Sequence, residues 1–328
     1  MSELQDRDVL SLRNINRKEI ERIFDLSDKI DTRKKYDVLE DKILASLFFE
    51  PSTRTRLSFE AAMHRLGGDV IGWADPKMSR AGSPLDLETM EDTARIVSNY
   101  ADVIVMRHPT PGAPDLVSKY AEIPVINAGD GDNEHPTQAL IDLYAIKRIK
   151  GKIDGLKICL AGNLRYLRCL HSDAYGLANF DVELRLVSPP DFKMPQSIIN
   201  YLQERNVLFK EATDLDRAMA EVDVLIVDSF LHKALVHFGQ YDRIRIQRLK
   251  DYYTLDPERM KKANQGLIVL HSLPRTGELG FDITPEVDAA PCAKYFEQAS
   301  YGMNIRMALF SLILGKSQKK VKGSMHGR

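Results

Sequence analysis

Phe48-Phe49-Glu50-Pro51-Ser52-Thr53-Arg54-Thr55-Arg56-Leu57-Ser58-Phe59-Glu60 joins two kinds of local structure. The apolar run 43–49 that leads into it reads as a buried strand. Leu57, Ala61, Met63 and Leu66 then follow a helical pattern, stopped by Gly67-Gly68. Between the two, residues 52–56 place three hydroxyls and two guanidiniums in five positions. Ser52 or Thr53 is placed to cap the helix, whose first turn offers unpaired backbone N–H groups. That end also carries partial positive charge and attracts phosphate. Arg54 adds a bidentate, charge-assisted contact.

Outward from this stretch, strand and helix patterns alternate. Asn16 and Glu19 form a capping box ahead of a helical stripe of Ile20, Ile23, Phe24 and Ile30. Strands are expected at 69–73, at 102–106 (delivering Arg107 and His108) and at 123–127, and helices at 87–100 and 115–121. Residues 129–132 read as a turn before His135-Pro136-Thr137-Gln138 opens a helix to residue 149. A second series follows: strands at 156–161, 182–187, 222–227 and 267–270, helices at 166–179, 196–205, 214–220 and 257–264, and one long helix over 295–314. Short strands alternating with helices predict an α/β fold of two domains, each with a mostly parallel sheet flanked by helices. The first spans 1–150 and is completed by the C-terminal helix 292–315. The second spans 151–291, and 316–328 is a basic tail. In open α/β sheets ligands bind at the carboxyl ends of strands. The signature loop, Arg107, the loop to His135 and His271 all fall there, which predicts one shared site.

Composition narrows the class. The 328 residues are 44% hydrophobic and 28% charged, which is ordinary for a globular protein. With 46 basic and 47 acidic residues there is no global bias toward nucleic acid or a membrane surface. Cys159, Cys169 and Cys292 form no CxxC pair and no metal set with histidine, so reduced thiols and a cytoplasmic setting are expected. No apolar run approaches the roughly 20 residues that span a bilayer. Gly162-Asn163-Leu164-Arg165 lacks the GxGxxG turn of a dinucleotide site.

The stretch from Phe49 to Arg56, with Ser58-Phe59-Glu60 after it, resembles the carbamoyl-phosphate signature of the aspartate/ornithine carbamoyltransferases. Glu50-Pro51 resembles the aspartate branch, and the likeness runs from about residue 8 to residue 315. The resemblance implies transfer of the carbamoyl group of carbamoyl phosphate to an amine. In the aspartate branch this is L-aspartate, giving N-carbamoyl-L-aspartate and phosphate for pyrimidine biosynthesis. It implies that Ser52, Thr53, Arg54 and Thr55 form the phosphate-binding turn and that Arg107 contacts phosphate and carbonyl oxygen. His135 would donate to that oxygen, Gln138 would read the carbamoyl NH₂, and the backbone carbonyls of Leu273 and Pro274 would accept from it. Thr55, Arg107 and His135 are the expected catalytic set. Arg168 matches a carboxylate-binding arginine. A homotrimer is implied, a regulatory subunit is compatible, and neither a metal nor an organic cofactor is called for.

The acceptor side departs from that pattern. The aspartate branch carries Thr-Arg-x-Gln-x-x-Arg where this chain has Asp228-Ser229-Phe230-Leu231-His232-Lys233-Ala234. Losing two charge-assisted contacts costs roughly 1.5–3 kcal/mol each. Asp228 stands where the ornithine branch has an aspartate near the substrate amine, and Ser272 replaces a proline or cysteine. The ornithine Ser-Met-Gly signature is absent. Either the acceptor differs from aspartate, with a cationic or neutral end facing Asp228, or one of His232, Lys233, His237, Arg243 and Arg245 replaces the lost arginines. The loop 77–86 also lacks the family's lysine in register. A carbamoyltransferase for another amine and a non-catalytic paralogue therefore stand as alternatives.

Overall fold

The structure, a computed structural model, describes residues 4–75, 79–80, 88–230, 242–277 and 280–315. The expected loop 77–86, apart from Ser79 and Arg80, lies outside the described residues. So do residues 231–241 and the tail 316–328. The chain forms two compact units, Met1–Thr137 with Tyr301–Arg328, and Gln138–Ser300.

The first unit is built on a parallel sheet of β1 (Ile43–Phe48), β2 (Asp69–Trp73), β3 (Val103–His108) and β4 (Val125–Asp130), in the order β2-β1-β3-β4. β1 is buried almost throughout because helices cover both faces of the sheet. α1 (Arg17–Ser27) has the expected capping box, with Asn16 and Glu19 satisfying each other's backbone N–H groups. α2 (Thr53–Arg65) follows β1 and packs against the last helix, Gly302–Leu314, where Phe59 and Phe310 meet at 5.6 Å between ring centroids. α3 (Met90–Ser98) and α4 (Ala113–Tyr120) pack together beside the cluster of Ala45, Leu47, Phe49, Ile104 and Met106.

The second unit has five parallel strands: β5 (Lys157–Ala161), β6 (Glu183–Val187), β7 (Leu208–Ala212), β8 (Val224–Val227) and β9 (Ile268–Leu270). Their order is β7-β6-β5-β8-β9. α5 (Pro136–Lys150) leads into it, and α6 (Arg168–Leu177) follows β5. β7 has no counterpart in the sequence reading. It is an edge strand whose Leu208 is 69% exposed and whose centre is Lys210-Glu211, so it lacks both an apolar run and clean alternation. The expected helix over 295–314 is two helices, Tyr295–Ser300 and Gly302–Leu314, separated at Tyr301 next to a helix-weakening glycine. The ambiguous stretch before residue 253 contains a helix, Arg243–Tyr253.

Each sheet reverses its strand order once, between β1 and β3 in the first unit and between β5 and β8 in the second. These are the switch points at which open α/β sheets bind ligands. The signature turn and Arg107 flank the first. Gly162 and Asp228 flank the second, so closely that a Cβ on Gly162 would sit 2.5 Å from the Asp228 carbonyl oxygen.

Candidate active site

In the first unit β1 ends at Phe48, which pairs with Arg107 of β3, so the signature turn and the arginine leave the sheet side by side. Ser52 takes the N-cap position of α2, yet its hydroxyl makes no capping hydrogen bond. The first-turn amides are therefore not closed off by that side chain, as an anion site requires. Thr53 and Arg54 are exposed on this turn and Thr55 is buried. Arg56, the other guanidinium of the motif, turns away: its Nε donates to Glu60 Oε1 at 2.7 Å, and Ser46 donates to the same oxygen. It braces α2 against β1.

Arg107 is held from behind. Its Nε donates to Glu50 Oε2 at 3.0 Å, and Nη1 reaches the Ala128 carbonyl oxygen at 3.4 Å. Only 14% of the Arg107 side chain is exposed, which keeps the guanidinium in one orientation. His135 is buried, with Nε2 3.5 Å from the Thr55 hydroxyl and Nδ1 3.4 Å from that of Thr137. The first unit thus brings Thr55 and His135 together and sets Arg107 at the neighbouring strand end.

Two acids that sequence reasoning passed over hold this arrangement. Asp130 is fully buried at the end of β4. Its Oδ1 accepts from Asn127 Nδ2 (2.8 Å) and the Glu134 amide (3.1 Å). Its Oδ2 accepts from the Gly112 amide (2.7 Å) and Asn133 Nδ2 (2.9 Å). Glu134, also fully buried, accepts from the Ser11 hydroxyl and the Leu12 amide and pairs with Arg13. These bonds fix the turn 131–134 immediately before His135. His108, next to Arg107, accepts the Thr110 amide on Nδ1, and burial lowers its pKa, so it stays a neutral neighbour.

In the second unit Gln138 lies in the first turn of α5, and its Nε2 donates to Asp142 Oδ1 at 2.8 Å. Arg168 opens α6. Asp228 leaves β8 nearly buried, with Oδ1 accepting the Ser229 amide (2.7 Å) and Oδ2 the Ser272 hydroxyl (2.6 Å). Leu273 has φ +57° and is followed by a cis Leu273–Pro274 bond, and its amide donates to buried His271 Nδ1 at 2.8 Å. The Cys169 thiol is pushed up chiefly by burial, with Asp228, Arg168, Asp142 and Asp173 all acting on it. Among the described residues no cluster of histidine, cysteine and acids suits a metal ion.

Residues 7–148 match the Aspartate/ornithine carbamoyltransferase carbamoyl-P binding domain, and residues 154–313 match the Asp/Orn binding domain of the same family. This chain belongs to the aspartate/ornithine carbamoyltransferase family. As such it is a carbamoyltransferase. It is 46% identical over 317 residues to the aspartate carbamoyltransferase catalytic subunit of Thermococcus onnurineus, covering 95% of this chain and 98% of that one. The solved aspartate transcarbamoylase of Trypanosoma cruzi in complex with carbamoyl phosphate superposes with a TM-score of 0.87 at 34% identity, over 96% of this chain and 98% of that one. The same enzyme with carbamoyl phosphate and aspartate gives a TM-score of 0.86, at 34% identity and the same coverage of both chains. The catalytic subunit of M. Jannaschii aspartate transcarbamoylase gives 0.82 at 41% identity, over 93% and 97%.

Proposed function

We propose that this carbamoyltransferase moves the carbamoyl group of carbamoyl phosphate to the amine of L-aspartate, as the relatives described above are named for, and so serves pyrimidine biosynthesis. The observation that carries the donor half is the open N-terminus of α2, with buried Thr55 in contact with His135. Ser52, Thr53, Arg54 and Thr55 hold the phosphate through hydroxyls, first-turn amides and one guanidinium. Arg107, pre-aimed by Glu50, neutralises charge on the phosphate and on the carbonyl oxygen. Thr137 donates to His135 Nδ1, which leaves an Nε2–H to donate to the carbonyl oxygen as it becomes an oxyanion.

Gln138, with the carbonyls of Leu273 and Pro274, accepts from the carbamoyl NH₂. The neutral amine then attacks the carbonyl carbon, a C–N bond forms, and the C–O bond to phosphate breaks. The departing phosphate takes the proton the nitrogen loses. Arg168 holds the acceptor's α-carboxylate, with Asp228 and Ser272 facing the rest of the acceptor. The domains at 1–150 and 151–291 divide the donor and acceptor tasks. We expect a cytoplasmic homotrimer. The relatives' designation as catalytic subunits is compatible with a separate regulatory chain.

A second reading has its own observation. The fixed carboxylate of Asp228, bonded to Ser272, stands at the end of β8, where an acceptor with two carboxylates is repelled and a neutral or cationic one is not. The deciding experiment is phosphate release from carbamoyl phosphate with L-aspartate, L-ornithine, other amino acids and diamines. Turnover with aspartate supports the first reading and turnover confined to another amine the second. Failure to bind carbamoyl phosphate at all overturns both.

A further inference from the structure

Asp142 and Asp173 have no part in that reaction scheme, yet both are fully buried. They come from different helices, α5 and α6, and each influences the other's titration. Asp142 Oδ1 accepts two amide N–H groups, Gln138 Nε2 at 2.8 Å and Gln298 Nε2. Both bonds favour the ionised form. Among the described residues neither oxygen of Asp173 has a hydrogen-bond partner. Asp142 is therefore the acid of the two that is engaged, through Oδ1.

The consequence falls on Gln138. Gln298 gives its Oε1 to the His271 amide and so presents Nε2 to Asp142 Oδ1, which is thereby an acceptor, and what Gln138 turns to the same oxygen is its NH₂ end. The carbonyl end of Gln138 is then turned the other way, as an acceptor. We propose that Asp142 is a positioning residue that fixes the amide of Gln138 with Oε1 presented to the carbamoyl NH₂. This rests on the reading of Gln138 given above. Gln298 completes the brace: its Nε2 holds Asp142 and its Oε1 accepts the His271 amide at 2.9 Å, tying α5 to the end of β9.

Inorganic phosphate has no NH₂ for Gln138 to read, so the ratio of carbamoyl-phosphate to phosphate affinity isolates this device from general folding. Both dissociation constants are measured by calorimetry on the full chain. Asp142→Ala is expected to weaken carbamoyl phosphate roughly tenfold with phosphate unchanged, the worth of one polar bond plus lost orientation. Asp142→Asn keeps a neutral acceptor and an ambiguous amide, so a loss of roughly three- to fivefold is expected. Asp173→Asn leaves both amide bonds to Asp142 Oδ1 in place and should stay within about twofold of wild type. An unchanged ratio in Asp142→Asn overturns the inference, and that variant decides if Asp142→Ala does not fold. Equal weakening of both ligands overturns it too. A wild-type protein that binds phosphate but not carbamoyl phosphate removes the reading of Gln138, and this inference with it.

Discussion

Replacing Asp130 with asparagine tests how the His135 loop is held. The carboxylate accepts four hydrogen bonds, two on each oxygen, from a fully buried position. An asparagine keeps one acceptor oxygen and turns an NH₂ toward the other two donors. Whichever way the amide lies, two donors lose their acceptor, either Asn127 Nδ2 with the Glu134 amide or the Gly112 amide with Asn133 Nδ2. Bonds to a charged group contribute roughly 1.5–3 kcal/mol each, so the loss is about 3–6 kcal/mol. That is a large share of the roughly 5–15 kcal/mol by which a domain is stable. Urea unfolding should show a midpoint displaced to match, and carbamoyl phosphate should bind more weakly because His135 follows Glu134 directly. Asn133→Ala, which removes one half-buried donor, should cost only about 1 kcal/mol. A loss below about 1 kcal/mol in Asp130→Asn, with carbamoyl-phosphate affinity intact, would refute the reasoning: the turn would then be held by Glu134 alone.

Other perturbations separate the remaining parts. Arg54→Ala should abolish phosphate-dependent binding measured by calorimetry, and retained affinity would remove the signature turn from the site. Asp228→Asn should shift relative turnover across the amine panel toward acceptors with an extra carboxylate; an unchanged ranking would show that Asp228 does not face the acceptor. Burial raises Asp142, to about 7, and raises Asp173 above its ordinary carboxylate value. Each group then binds more protons folded than unfolded above pH ~4, so its contribution to stability declines as pH rises, for Asp142 until about pH 7. Asp228 raises both acids further, and the two acids in turn help to raise the Cys169 thiol. Asp173→Asn should flatten part of that decline in thermal unfolding measured from pH 5 to 8, and a slope equal to wild type would count against a raised Asp173.

What could be read in the chain was whatever rested on local pattern. β1, the signature turn, β3 with Arg107 at its end and the helix after His135 all follow from uninterrupted apolar runs and turn chemistry. The capping box of Asn16 and Glu19 needs only three-residue spacing. β7 was not legible, because an exposed edge strand has one thin face to bury and Lys210-Glu211 masks it. Nor was the break at Tyr301, where the helical apolar pattern continues across the interruption. Arg56 had no role assigned from the sequence, and the structure gives it one, the bond to Glu60 one turn on. Asp142 carried a usable signal, since it stands four residues after Gln138 on the same helix face. Asp173 carried none, because Asp142 lies on another helix.

The hidden residues share a physical type, which explains why they escaped. Asp130, Glu134, Asp142 and Asp173 are carboxyls in stretches that read as a polar turn or a helix surface, and acids are almost never fully buried unless paired. Asp130, Glu134 and Asp142 are buried where they answer backbone or amide N–H groups that would otherwise be stranded. Hydroxyls and guanidiniums that meet a diffusible ligand must stay reachable, so they sit in turns with recognisable motifs. The groups that aim them must be inaccessible and bonded on all sides, so tertiary contacts specify them. Asp228 belongs to both kinds: one oxygen is bound by its own loop through the Ser229 amide and the other by the Ser272 hydroxyl, at the end of a strand. A carboxylate fixed in that way cannot swing aside for a second carboxylate. In the second reading of the acceptor proposed above, this fixed charge is what would select against two carboxylates.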